Sequence, residues 1–208
     1  MKKIAILISG RGTNMQAIVE SQLPHEICGV ISNNPSAAGL SFAKAQNIDT
    51  YVINHRDHPD RESFDKALGN TIATLQPDII VLAGFMRILT TDLITRFAGK
   101  IINIHPSLLP AFRGLDTHQR AITEGVKLHG CTVHFVTPNL DEGPIIAQAA
   151  LCVRPDDTPQ SLADRVLTLE HEILPKTLAW ILDGHCTIVD NRVTLDPSII
   201  NDSCSFQR

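Results

Sequence analysis

The sequence predicts an α/β protein with a mostly parallel, twisted sheet, helices on both faces, and an antiparallel strand in the C-terminal half. Three observations predict it. Short β-branched runs alternate with helical patterns through the first half of the chain, which is the rhythm of βαβ units. The segment Asp78–Phe85 is almost wholly apolar, as a parallel strand covered on both faces must be. The first strand also passes straight into a glycine-bearing turn ahead of a helix, a junction that open α/β sheets use for ligands.

Composition sets the outer limits. The 208 residues suit one domain, with 43% hydrophobic and 19% charged residues, ordinary values for a globular chain. A net charge of −4 supplies no basic field for nucleic acid or an anionic membrane. The longest apolar runs, Ile79–Ala83 among them, are too short to span a bilayer. The opening MKKIAILISG reads as a strand, not a signal peptide. Five scattered cysteines without a CxxC pair favour reduced thiols in the cytoplasm over a disulfide frame or a zinc site.

Ile4–Ile8 is a compact apolar strand, and a helical pattern runs from Met15 to about Ser21. Between them, Gly12, Thr13 and Asn14 lie where backbone N–H groups and the positive end of a helix dipole face an anion, usually a phosphate. A dinucleotide fingerprint would need glycine where Met15 stands, and an acid after Ile27–Ser32, where Asn33 and Asn34 follow. NAD is therefore disfavoured. No GK[ST] is present either, which leaves a lone phosphate monoester as the better ligand and a purely structural turn as the alternative.

Gly39–Gln46 reads as a helix, Tyr51–Ile53 as a short strand, and Asn54–Asp60 as a polar loop. Arg61–Leu75 is amphipathic, with Phe64, Leu68, Ile72 and Leu75 on one side. Asp78–Phe85 then runs into Met86, Arg87, Ile88 and Leu89. An apolar lip beyond a strand's carboxyl end can hold a flat ring system, or can simply pack under the next helix.

Thr91–Phe97 is a short helix before the strand Ile101–His105. Asn103 and His105 alternate with its isoleucines and share a face. Pro106 biases His105 toward extended backbone at the strand's end. An amide and an imidazole there pair a carbonyl-polarising donor with a proton donor; the plainer alternative is that they cap the strand and bond to the next loop. Leu109–Thr117 is a loop able to move over a site, and Gln119–Glu124 a helix. Cys131–Thr137 and Ile145–Val153 form a hairpin-like pair around a turn that contains Asp141. That residue either serves the turn or meets His105. Pro159–Ile181 is the longest helix, and Pro175 predicts a kink or a split within it. Thr187–Val189 and Arg192–Leu195 suit a β-ribbon, and the polar residues after them are expected to fray.

Seven segments in order, ISGRGTNMQAI, VLAGFMRIL, NIHPSLLP, GLDTHQRA, HGCTVHFVT, LDEGPII and LEHEILP, resemble the glycinamide ribonucleotide formyltransferases, the folate-dependent transformylases of purine synthesis. The resemblance covers essentially the whole chain and implies a Rossmann-like formyltransferase fold. It implies a single domain over 1–208, with a phosphate-binding half (1–100) and a catalytic, folate-binding half (101–208). The implied reaction moves the formyl group of 10-formyltetrahydrofolate to the amine of phosphoribosylglycinamide, without a metal. The family's catalytic Asn, His and Asp fall on Asn103, His105 and Asp141. Gly12, Thr13 and Asn14 match its phosphate turn, and Glu170 the acid that holds the ribose hydroxyls. Arg61 and Met86–Leu89, with Asn103, match its folate contacts. Asp141 would orient the imidazole and favour its charged form. Ala111 and Arg113 stand at positions that vary in the family, and Glu142 where some members have glycine.

Two related families are set aside. Methionyl-tRNA formyltransferases carry a further tRNA-binding domain, and formyltetrahydrofolate deformylases an N-terminal regulatory one. The expected partners are therefore small molecules, with no nucleic acid or membrane, for a cytoplasmic monomer or homodimer.

Overall fold

The computed structural model describes residues 1–207. Contacts divide the chain into two compact units, Met1–Asn103 and the residues from Ile104 onward.

In the first unit, β1 (Lys3–Ile8), β2 (Glu26–Ser32), β3 (Thr50–Val52), β4 (Ile79–Leu82) and β5 (Ile101–His105, whose last two residues begin the second unit) run parallel. Their order is β3-β2-β1-β4-β5. β1 and β4 are the central strands, and Ala5 to Ile8, Ile80 and Val81 are sealed from solvent, as their unbroken apolar runs require. The helices are α1 (Thr13–Glu20), α2 (Ala38–Ala45), α3 (Arg61–Leu75) and α4 (Thr91–Arg96), with α1 against α2 and α3 against α4. α3 has the bounds its sequence predicts. Asp60 caps it by accepting the Ser63 N–H at 2.7 Å, and Gln76 closes it in a left-handed turn before Pro77. The 54–60 loop contains one 3₁₀ turn, His55–Asp57. Strand order reverses between β1 and β4, so the carboxyl ends of these two strands form a topological switch point.

The second unit contains α5 (Thr117–Thr123), β6 (Leu128–Phe135), β7 (Ile145–Cys152), α6 (Pro159–Leu182), β8 (Cys186–Val189), β9 (Arg192–Leu195) and β10 (Cys204–Gln207). β6 and β7 are antiparallel, β10 runs parallel along β7, and β8 and β9 form a separate antiparallel ribbon. α6 packs on β6 and β7. β6 starts three residues before the predicted Cys131, because pairing from Leu128↔Cys152 onward draws those residues into the ladder. Gly130 sits inside it, where a Cβ would lie 1.9 Å from the Ala149 carbonyl oxygen.

Two readings are revised here. α6 runs through Pro175 as one helix, so of the expected kink or split the split does not occur. One missing N–H costs a single hydrogen bond, whereas Leu174, Pro175, Thr177 and Leu178 are all buried by the continuous helix. The polar tail does not fray at 204–207, because β10 pairs through its backbone and needs no apolar side chains; Gln148 N–H donates to the Ser203 carbonyl at its start (2.9 Å). Among the described residues no helix is long and apolar enough to cross a membrane.

Candidate active site

In the first unit, Ser9 ties the switch point together. Its N–H donates to the Gly84 carbonyl (3.2 Å), and its hydroxyl donates to Asn33 Oδ1 (2.6 Å) and accepts from the Met86 N–H (2.8 Å). The turn after β1 reaches α1 through Gly12, whose φ of 72° is left-handed and which leaves the helix without a side-chain cap. The first turn of α1, with Thr13 half-buried and Asn14 buried, thus presents its backbone N–H groups at the carboxyl end of β1.

The lip after β4 is held at both ends, by Ser9 at Met86 and by Asp65 Oδ2, which accepts the Thr90 N–H. Met86 and Ile88 are 67% and 58% exposed, while Leu89 turns inward. The Arg87 guanidinium lies 5.6 Å over the Phe64 ring. Arg61 opens α3 and is exposed. Asn103, half-buried, lies opposite Leu82 in the β4–β5 register.

In the second unit His105 meets Asp141. Nδ1 of the imidazole lies 3.5 Å from Asp141 Oδ2, and Nε2 lies 3.0 Å from the Phe112 carbonyl oxygen. An imidazole that faces an oxygen at each nitrogen is fully satisfied only when both carry hydrogen. Asp141 itself is left-handed (φ 53°) and accepts the Gly114 N–H at 2.8 Å. Its other oxygen lies 3.9 Å from His134 Nε2. Burial pushes His134 below the ordinary histidine range, while the Phe135 carbonyl and Asp141 pull it back.

More imidazoles follow. His118 Nδ1 and His129 Nε2 are 3.1 Å apart, and His129 also meets the Phe112 ring edge-on. Burial, then the charges of His118 and His105, hold His129 down at about 4. His118 is lowered as well, chiefly by burial. Glu170 is buried near the middle of α6. Arg113 and Glu142 are ion-paired at 2.5 Å. Glu142 also accepts from Asn139 Nδ2 (3.0 Å), and the Arg113 carbonyl accepts from Arg120 Nη1 (2.6 Å).

The second unit thus brings His105 and Asp141 into contact, and the first brings the Gly12 turn and the 86–89 lip to the ends of neighbouring strands. Sequence reasoning missed Ser9, Asp65, His134 and the Phe112 carbonyl. A signal for His134 was present, since it alternates with Thr132 on a strand ending just before the Asp141 turn. Ser9 and Asp65 act through main-chain N–H groups distant in sequence, which no local pattern announces.

The chain matches the formyl transferase family over residues 2–178. It is 44% identical over 200 residues to a phosphoribosylglycinamide formyltransferase of Haemophilus influenzae, covering 94% of each chain. It is 42% identical to a trifunctional purine biosynthetic protein of Homo sapiens, covering 91% of this chain and 19% of that one. The crystal structure of a phosphoribosylglycinamide formyltransferase from Anaplasma phagocytophilum superposes with a TM-score of 0.92 at 38% identity, over 100% of this chain and 99% of that one.

Proposed function

The chain belongs to the formyl transferase family, and from that premise we propose that it moves the formyl group of 10-formyltetrahydrofolate to the amine of 5-phosphoribosylglycinamide in purine biosynthesis. The observation that carries this reading is the buried His105, with Asp141 at one ring nitrogen and an acceptor at the other.

The amine attacks the formyl carbon, and negative charge gathers on the formyl oxygen of a tetrahedral intermediate. Asn103 and His105, two residues apart on β5, are the groups to stabilise it. The bond to the folate nitrogen then breaks as the amide forms. The attacking amine gives its proton to water, the departing nitrogen takes one from His105, directly or through water, and the imidazole regains a proton from solvent. Asp141 holds the ring in register for that transfer. Gly12, Thr13 and Asn14 bind the phosphate, and Glu170 accepts the ribose hydroxyls. Arg61, Asn103 and the Met86–Leu89 lip hold the folate. An amine nucleophile needs no activated water, so this route calls for no metal. Five free thiols favour a reducing cytoplasm, where the protein would act as a monomer or homodimer.

The test is formyl transfer from 10-formyltetrahydrofolate to the phosphorylated glycinamide, to its dephosphorylated form, and to water alone. Transfer to the phosphorylated amine, much weakened without the phosphate, is expected. Release of formate with no acceptor present, or equal affinity for both amines, would overturn the reading.

A further inference from the structure

Asp65 is an unusual residue to bury. It lies on α3, is 2% exposed, and has one oxygen, Oδ1, that makes no hydrogen bond among the described residues. Its other oxygen accepts the N–H of Thr90, which closes the lip and caps α4. Burial raises its pKa; the Thr90 hydrogen bond, then Arg61 and Arg87, act against that. A carboxyl kept under these conditions needs a reason other than stability, because withdrawing it from water is costly.

The geometry of the lip supplies one. Residues 86–90 form a strap pinned at two points, Met86 N–H on Ser9 and Thr90 N–H on Asp65. Between the pins, Arg87 rests on Phe64, the residue next to Asp65, and Met86 and Ile88 are left facing outward. The strap residues Met86–Leu89 are among those assigned above to the folate. We propose that Asp65 is a positioning residue for the folate cosubstrate, fixing the Thr90 end of the strap without touching the ligand. This rests on the folate reading of the lip.

A surface that holds the cosubstrate alike in ground and transition states affects KM more than kcat. Asp65→Asn keeps the shape and removes the charge. It should raise KM for 10-formyltetrahydrofolate by about five- to tenfold, the scale of one weakened charged hydrogen bond, and leave KM for phosphoribosylglycinamide unchanged. Thr90→Pro reaches the same pin from the other side. Thr90 already has the φ that proline requires, −71°, and the change deletes the N–H and the capping hydroxyl. Thr90→Ala removes the hydroxyl alone and should leave the folate KM near wild type.

Amide exchange supplies a readout without ligand. In Asp65→Asn the Thr90 N–H should exchange faster, while Met86, held by Ser9, should not change. A parallel rise in both KM values, a fall in kcat alone, or unchanged Thr90 exchange would overturn the assignment of Asp65. Failure of the wild-type chain to use the formyl folate at all would overturn the proposed function instead.

Discussion

His105 Nδ1 lies 3.5 Å from Asp141 Oδ2, with both side chains withdrawn from solvent (7% and 8% exposed). Removal of either partner therefore leaves the other buried without its counterpart. Asp141→Asn turns an acceptor into an amide that can donate or accept, which frees the ring to reorient. His105→Asn removes the proton itself. Each single variant should lose about 10²- to 10⁴-fold in kcat/KM, the usual scale for a positioned acid. Because both faults strike one proton transfer, the double variant should fall only slightly below the worse single. Two losses that multiply would show that Asp141 serves the turn and not the imidazole.

Arg113 and Glu142 predict a different, smaller effect. Their side chains are 43% and 40% exposed, so the pair is worth about 0–1 kcal/mol and is screened by salt. Its place matters more than its strength. It clips the loop after Phe112 to the Asp141 turn, beside the Gly114 N–H held by Asp141. Glu142→Gln should barely move Tm but should speed amide exchange at Gly114 about two- to fivefold, matching a loss of up to about 1 kcal/mol. Added salt should speed the same exchange in wild type and not in the variant. The charge-swapped double, Arg113→Glu with Glu142→Arg, should recover protection. Salt-independent exchange in wild type would mean the clip holds nothing.

The parts legible in the sequence are those where one local pattern decides the outcome. β1, β4 and β5 follow from apolar runs, and α3 from one apolar face and Pro77. β10 was not legible, because its pairing with β7 uses main-chain groups that every residue carries. Nor was the unbroken α6, since the penalty at Pro175 is local while the burial that offsets it spans several turns. At the candidate site, Asn103 and His105 stand out as polar residues in an apolar strand. His134 near Asp141 depends on a turn that places Asp141 in the left-handed region, and Asp65 on Thr90, 25 residues away. Such pairings are set by the folded arrangement and leave no periodic trace.

Gly12 and Gly10 allow a controlled comparison in the turn after β1. Gly12 has φ 72°, and a Cβ there would meet Gly39 Cα at 3.1 Å and Met15 Cε at 3.0 Å. Gly10 has open space and no positive φ. Gly12→Ala should cost about 1–2 kcal/mol from the left-handed backbone alone, with crowding added, and should raise KM for the phosphorylated glycinamide. Gly10→Ala should stay within about 0.5 kcal/mol of wild type. Urea unfolding with both KM values measures this. Loss of stability in Gly12→Ala with an unchanged KM would leave the turn structural and move the phosphate elsewhere.

The His118–His129 pair predicts how stability depends on pH. His129 is fully buried and held at about 4, whereas an unfolded histidine titrates near about 6.5. Between those values the unfolded chain binds a proton at His129 and the folded chain does not. Stability therefore rises with pH across that window and falls as the solution is acidified through it. Above about 6.5 both states are neutral there, and below about 4 both are charged, so the slope vanishes at each end. His118 and His134, also lowered by burial, act in the same direction. Asp65, whose pKa is raised, acts in the opposite one. His129→Gln removes the titration and retains an amide able to bond to His118 Nδ1. Urea midpoints measured from about pH 7 down to about pH 5 should fall less steeply in the variant than in wild type. Asp65 contributes equally to both proteins, so the difference in slope belongs to His129 and its partner. Parallel slopes would mean that His129 takes up its proton in the folded chain as readily as in the unfolded one.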